Sequence, residues 1–213
     1  DLLGVKKEDL IPVWKDLNDA GMVSGAAYAK GLRTVKTCVG QDWCRFGTQD
    51  STGLGIKLER VLWGSWAPAK LKLAVTGCPR NCAEATCKDI GVICVDSGYE
   101  IVYGGAAGLH IQGTTSLGMV KTEEEVIETI CALTQYYREN GFYLERIYKW
   151  ADRVGYDHIK SVVYDDLDAR KAYAERFAFS QKFSQVDPWA ERVAGAEAHE
   201  FAPMADLKLE AAE

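Results

Sequence analysis

Nothing in this chain reads as a membrane span. The longest stretch free of Asp, Glu, Lys and Arg covers residues 101–120, but it holds five glycines and five polar residues (His110, Gln112, Thr114, Thr115 and Ser116). A spanning helix needs about 20 predominantly apolar residues. Net positive charge is lacking too. Twenty-five Lys and Arg face 31 Asp and Glu, a net −6, which argues against a global binder of nucleic acid or of an anionic membrane. The glycine-rich segment Gly104–Gly108 lacks the G-x-G-x-x-G order, because Tyr103 stands where its first glycine would be. That speaks against nicotinamide binding at this point. The three histidines, at 110, 158 and 199, are too far apart to form an H-x3-5-H metal pair. No internal repeat is visible. The chain begins at Asp1 with no basic-then-apolar leader, so it is read as an excised piece of a longer protein with no secretory signal.

What is present is an ordinary globular composition. The 213 residues are 47% hydrophobic and 26% charged, and a chain of this length buries roughly 70% of its unfolded surface. A core is therefore available without metals or disulfides. Seven cysteines, an odd number in so large a chain, argue against a disulfide framework. Their spacing is more informative. Cys38 and Cys44 form C-x5-C, and Cys78 and Cys82 form C-x3-C, both among Gly, Pro and Asn. Four thiolates in two loop-borne pairs suit a tetrahedral zinc or a cubane iron–sulfur cluster. The five-residue gap counts against zinc, yet neither ferredoxin spacing fits. Cys87, Cys94 and Cys131 read instead as small hydrophobes: Cys94 lies in an apolar run, and Cys131 on the apolar face of a helix.

Residues 1–35 read as a short helix-rich lead-in, in which periodicity predicts a helix around residues 10–20, stopped by Gly21; a second helix is predicted from Ser51 or Thr52 to Leu62, weakened by Gly53 and Gly55. Leu71, Leu73 and Val75 alternate as a strand ending at Gly77. Pro79 suits the first position of a helix, which would place Cys78 at the cap and Cys82 one turn inside, near the positive end of the helix dipole. Residues 90–95 and 99–103 flank Asp96-Ser97-Gly98 as a hairpin. Thr122 and Glu125 form a capping box for a helix reaching about Asn140, with Val126, Ile127, Ile130, Cys131 and Thr134 facing inward. From Phe142 onward the chain reads as helical and strand-free, with Tyr143, Ile147, Trp150 and Val154 as one stripe and a frayed last dozen residues.

Charge is not evenly spread. Between Lys30 and Ile90 ten basic residues face five acidic ones. That segment is therefore +5, and the rest of the chain carries −11. The basic excess coincides with the paired cysteines. A solvated basic face is the plain explanation; a polyanionic cofactor or a small anionic substrate is the functional one.

The residues Thr34-Val35-Lys36-Thr37-Cys38-Val39-Gly40-Gln41-Asp42-Trp43-Cys44-Arg45-Phe46-Gly47, followed by Gly77-Cys78-Pro79-Arg80-Asn81-Cys82, resemble the cluster motif of siroheme nitrite and sulfite reductases. Within that family the similarity is to the large subunit of assimilatory NAD(P)H nitrite reductases, over nearly the whole chain. The resemblance implies an α+β fold, a mixed sheet with flanking helices followed by a helical C-terminal extension. It implies the end of a ferredoxin-like half-domain over residues 1–35, a 4Fe-4S/siroheme domain over 36–140 and the extension over 141–213. Cys38, Cys44, Cys78 and Cys82 would hold a [4Fe–4S] cluster, with Cys82 also bridging to the siroheme iron. Siroheme bears eight carboxylates, and Arg33, Lys36, Arg45 and Arg80 are the candidate partners for them. The Gly104–Gly108 loop would let backbone approach a flat macrocycle, or would simply be a flexible turn.

The resemblance also implies nitrite as substrate, cytoplasmic location, FAD and NAD(P)H sites in a missing upstream part of the parent chain, and a small subunit as partner. Nucleic acid and membranes are not expected partners. Family members pair two pseudo-symmetric halves, so this piece alone is expected to be inactive. The alternatives are an assimilatory sulfite reductase fragment and, from a different class, a zinc-stabilised binding module.

Overall fold

In the computed structural model, residues 3–24 and 30–202 are described. The chain divides into two compact units, one formed by residues 1–25 with 186–213 and the other by residues 26–185. In the smaller unit, helix α1 (Leu10–Asp19) packs on α8 (Pro188–Val193). Trp14 stacks on Trp189 at 6.4 Å and meets Phe201 edge-on at 5.1 Å. Asp187 caps α8 through the Trp189 N–H at 3.0 Å and accepts from Asn18 Nδ2 at 2.8 Å. One carboxylate thus starts a helix and ties the two segments together.

The larger unit is built on a five-stranded mixed sheet in the order β1-β2-β3-β4-β7. Strands β1 (Leu32–Thr37), β2 (Leu71–Thr76) and β3 (Ile90–Val95) run parallel. β4 (Gly98–Tyr103) and β7 (Thr115–Val120) continue antiparallel. A small ribbon, β5 (Ala106–Ala107) with β6 (Ile111–Gln112), fills the glycine-rich segment. The pleat sends Leu71, Leu73, Val75, Ile90, Val92, Cys94 and Ile101 to one face, where all are buried. There they meet Leu54, Leu58 and Leu62 of α3 (Ser51–Leu62) and Val126, Ile130 and Leu133 of α4 (Glu123–Asn140). Each fully buried Leu contributes about 1.5–3 kcal/mol. Gly55 does not weaken α3; a Cβ there would lie 2.2 Å from Thr37 Cγ2, so the missing side chain lets helix and strand close up.

The rest is helical, with no strand from Phe142 to Ala202. It comprises α5 (Ile147–Val154), α6 (Tyr156–Lys160), a π-turn at Ser161–Asp165 and α7 (Leu167–Ser184), which packs along α4. Thr122 and Glu125 form the expected capping box. Asp50, rather than Ser51 or Thr52, caps α3 through the Gly53 N–H at 2.8 Å. Tyr143 is 73% exposed and precedes α5, so it leaves the stripe that Ile147 and Trp150 bury. The frayed end expected for the last dozen residues falls almost wholly outside the described residues.

Two further expectations are corrected. Residues 32–35, the end of the segment 1–35 expected to be a helix-rich lead-in, belong instead to strand β1. No α-helix follows Pro79. Asn81 (φ 59°) and Glu84 (φ 62°) are left-handed, which breaks helical propagation, and only a 3-10 turn at Ala85–Cys87 forms. Cys78 and Cys82 therefore gain nothing from a helix dipole.

Candidate metal centre

The two cysteine-bearing loops leave the same end of the sheet, because β1 and β2 are parallel and each loop follows its strand. Cys38 follows β1, and Cys44 ends the short helix α2 (Gly40–Trp43). Cys78 follows β2, and Cys82 lies in the turns beyond it. The loops interlock through backbone. The Thr48 N–H and hydroxyl both donate to the Gly77 carbonyl, at 2.7 and 3.1 Å. The Gly77 N–H donates to Cys38 Sγ at 3.0 Å. This contact depends on two glycines in apposition: a Cβ on Gly77 would lie 2.9 Å from Gly40 Cα and 3.3 Å from Cys38 Sγ.

Burial by itself would raise the Cys38 thiol, but hydrogen bonds from Ser51, the Gly77 and Gly40 backbone and Thr76 outweigh it and hold the group below its ordinary value. Cys94 and Cys131 are the opposite case, each pushed up to about 12 by burial. Cys78 is buried, Cys44 half-buried and Cys82 exposed. Cys87 sits in the 3-10 turn and donates to the Glu84 carbonyl at 3.3 Å. Among the described residues, no three His, Cys, Asp or Glu side chains form a group that could hold a metal ion. By its chemistry rather than by an assembled geometry, a set of four thiols on interlocked loops, with the Gly77 N–H aimed at the Cys38 sulfur, suits an iron–sulfur cluster.

The four basic candidates fall into two places. Arg45 and Arg80 come from different loops and both stack on Phe46, with guanidinium carbons 4.5 and 3.7 Å from the ring centroid. Arg33 and Lys36 lie on the sheet instead, where they line a cleft of about 370 Å³ with Thr34, Lys72, Leu73 and Lys88. Glu84 bridges Lys36 and Lys88 at 3.0 and 2.9 Å, and those ammonium groups, Lys88 first, pull its carboxyl down to about 2. Lys72 is lowered by burial and by the nearby charges of Arg146, Lys70 and Arg33. A second cleft of about 390 Å³ adjoins Lys70, Lys72, Lys88 and Arg146 and includes the loop from Ala106 to His110.

The sequence reading missed Lys72, Lys88 and Arg146 as parts of this surface. The first two were legible only as contributors to the +5 segment. Arg146 carries no local signal: it chelates the fully buried Asp89, 57 residues away, at 2.7 and 2.8 Å. The apolar surface beside the cysteines is open, with Val39 56% and Trp43 85% exposed.

Residues 28–171 match the family described as the nitrite and sulphite reductase 4Fe-4S domain. A nitrite reductase [NAD(P)H] of Bacillus subtilis is 55% identical over 165 residues, 78% of this chain and 20% of that protein. An assimilatory-type sulfite reductase of Nitratidesulfovibrio vulgaris is 32% identical over 162 residues, 76% of this chain and 73% of that protein. The solved structure of the Mycobacterium tuberculosis NirA protein superposes with a TM-score of 0.64 at 20% identity, covering 74% of this chain and 31% of that one. The chain thus spans about a fifth of the length of the Bacillus relative.

Proposed function

The chain belongs to the nitrite and sulphite reductase 4Fe-4S domain family, and from that premise we propose that it is the cluster-bearing part of an assimilatory nitrite reductase large subunit. Cys38, Cys44, Cys78 and Cys82 are the cluster ligands in this reading. The observation that carries it is the interlock of the two loops, in which a Gly77 N–H is spent on the Cys38 sulfur. Cys82, the exposed member, would be the ligand shared with siroheme. When bound, the cluster and siroheme supply single electrons and an iron centre for the six-electron reduction of nitrite to ammonium.

The remaining residues bind and orient. Arg33 and Lys36, together with Lys72 and Lys88, offset siroheme carboxylates along the sheet face; Arg45 and Arg80, held by Phe46, do so at the loops. Exposed Val39 and Trp43 cover apolar macrocycle surface and exclude water from it. Residues outside this chain close the other face of the macrocycle. The isolated chain accordingly binds siroheme weakly and makes no ammonium, since unpaired carboxylates in a closed site are costly. The parent protein acts in the cytoplasm, with flavin and nicotinamide sites elsewhere in the subunit and a small subunit as partner.

A sulfite-reducing activity is the second reading. It is favoured by the Nitratidesulfovibrio relative, of which the matched residues make up 73%. Anaerobic reconstitution with iron and sulfide tests the proposal: about four iron and four sulfide per chain with a reducible cluster spectrum are expected, and tight zinc with no sulfide would overturn it. Addition of siroheme, reduced methyl viologen and either nitrite or sulfite then separates the two substrates. Turnover by this chain alone would overturn the half-site.

A further inference from the structure

Ser51 lies beside the cysteine loops, yet neither the motif spacing nor the ligand set assigns it a task. It opens α3 and is fully buried. Its Oγ donates to the Cys38 carbonyl at 2.9 Å and lies 3.4 Å from Cys38 Sγ. The hydroxyl occupies a notch between two glycines: a Cβ on Gly40 would lie 2.8 Å from it, and one on Gly77 3.2 Å. The Cys38 carbonyl has another donor in the Thr52 hydroxyl, at 3.2 Å. A serine hydroxyl carries one hydrogen and rotates to suit its neighbours. With Thr52 keeping the carbonyl satisfied, that hydrogen is at liberty to turn toward sulfur.

We propose that Ser51 is a positioning residue for the cluster, fixing the Cys38 loop through the carbonyl and donating its hydroxyl hydrogen to Cys38 Sγ when the cluster gains an electron. This rests on the cluster reading above. One-electron reduction adds negative charge, part of which resides on the ligating sulfurs. Hydrogen bonds to those sulfurs and the surrounding burial set the reduction potential. The Gly77 N–H is a backbone donor, fixed in direction by the loop that carries it. Ser51 is the adjustable one: its two acceptors are close enough that a bond rotation, without backbone movement, shifts the hydrogen from oxygen to sulfur. The reduced form is favoured by that shift, so removing the hydroxyl lowers the potential.

The test uses this chain, reconstituted anaerobically, as parent and as Ser51→Ala. The potential is read by dye-mediated titration followed by EPR, and exchangeable protons coupled to the reduced cluster are read by ENDOR in H2O and D2O. The expected result is a lower potential in Ser51→Ala and the loss of one exchangeable coupling, with the amide coupling retained. An assembled Ser51→Ala cluster with unchanged potential and unchanged couplings overturns the proposal. Should Ser51→Ala fold but hold no iron, Ser51→Thr, which restores the hydroxyl, is expected to recover it. Failure of that rescue also overturns the role. A parent chain that assembles no cluster at all is a different outcome, and sinks the ligand assignment itself.

Discussion

Cysteine occupies two contrasting regions of this fold. In the loops, Cys38 has an amide donor directed at its sulfur and the Ser51 hydroxyl 3.4 Å away, and its thiol is held below the ordinary value. Behind the sheet, Cys94 and Cys131 are buried among aliphatic side chains, and burial pushes both to about 12. The side chain is the same, but its surroundings lower the thiol in one place and raise it in the other. An oriented polar hydrogen marks the difference: the Gly77 N–H is directed at the Cys38 sulfur, whereas burial dominates at Cys94 and Cys131.

The largest expected effect breaks the comparison if it fails. Serine in place of any of Cys38, Cys44, Cys78 or Cys82 should abolish iron retention after reconstitution and desalting. Serine at Cys87, Cys94 or Cys131 should leave iron per folded chain unchanged, whatever it costs in stability. Iron analysis on the seven variants decides it. Equal iron in Cys44→Ser and the parent would remove the loop cysteines from the site. Loss of iron at Cys87 would shift the second pair.

The two regions also differed in how much of them the sequence disclosed. The helical layer was readable because its signals are local. Thr122 and Glu125 are three residues apart, and the 90–103 hairpin is joined by Asp96 and Ser97. Cysteine spacing is local as well, which is why the two pairs could be named. What holds the pairs to each other is not local. The Gly77 to Cys38 contact spans 39 residues, and the Arg146 to Asp89 chelate spans 57. The helix expected after Pro79 failed for a related reason: the left-handed turns at Asn81 and Glu84 are stabilised by contacts such as Asn81 Nδ2 with Thr86 Oγ1 at 2.6 Å and Glu84 with Lys36, and Pro at a first helical position cannot reveal those.

A middle-sized effect sharpens the contrast by adding one methyl group. Gly77→Ala places a Cβ against Gly40 Cα, Ser51 Oγ and Cys38 Sγ, at 2.9, 3.2 and 3.3 Å. The nearest of the three obstacles, Gly40 Cα, is backbone and cannot turn aside, so the loops must part. Overpacking of this kind costs about 1–3 kcal/mol. Because the displaced contact is the one that joins the loops, iron affinity should fall together with the melting temperature. In Cys94→Ala, by contrast, stability should fall while iron affinity does not. Chemical denaturation of the apo proteins and competitive iron chelation of the loaded ones give the two numbers. Parallel behaviour of both variants would mean that the loops are no more specialised than the core.

The smallest effect concerns the local order of the helical layer, at the start of the helix that carries Cys131. The Glu125 carboxylate accepts from the Lys121 N–H at 2.7 Å and the Thr122 N–H at 3.1 Å, and these backbone donors hold its pKa below the ordinary value. A carboxyl lowered by folding adds stability that is complete above its unfolded pKa and is lost as pH falls through its folded one. Glu125→Ala should therefore cost about 1 kcal/mol near neutral pH, as the loss of a capping partner does. In a chain of this size that is roughly 2–4 °C of melting temperature. The gap between parent and variant should narrow steadily from about pH 5 downward as the parent's own carboxylate protonates. Iron retention should be the same in both at neutral pH, because the capping box is made within residues 121–125 at the start of α4 and not by the cysteine loops. Melting curves across that pH range give the answer: a gap that persists undiminished into acid would show that Glu125 acts through packing rather than through its charge.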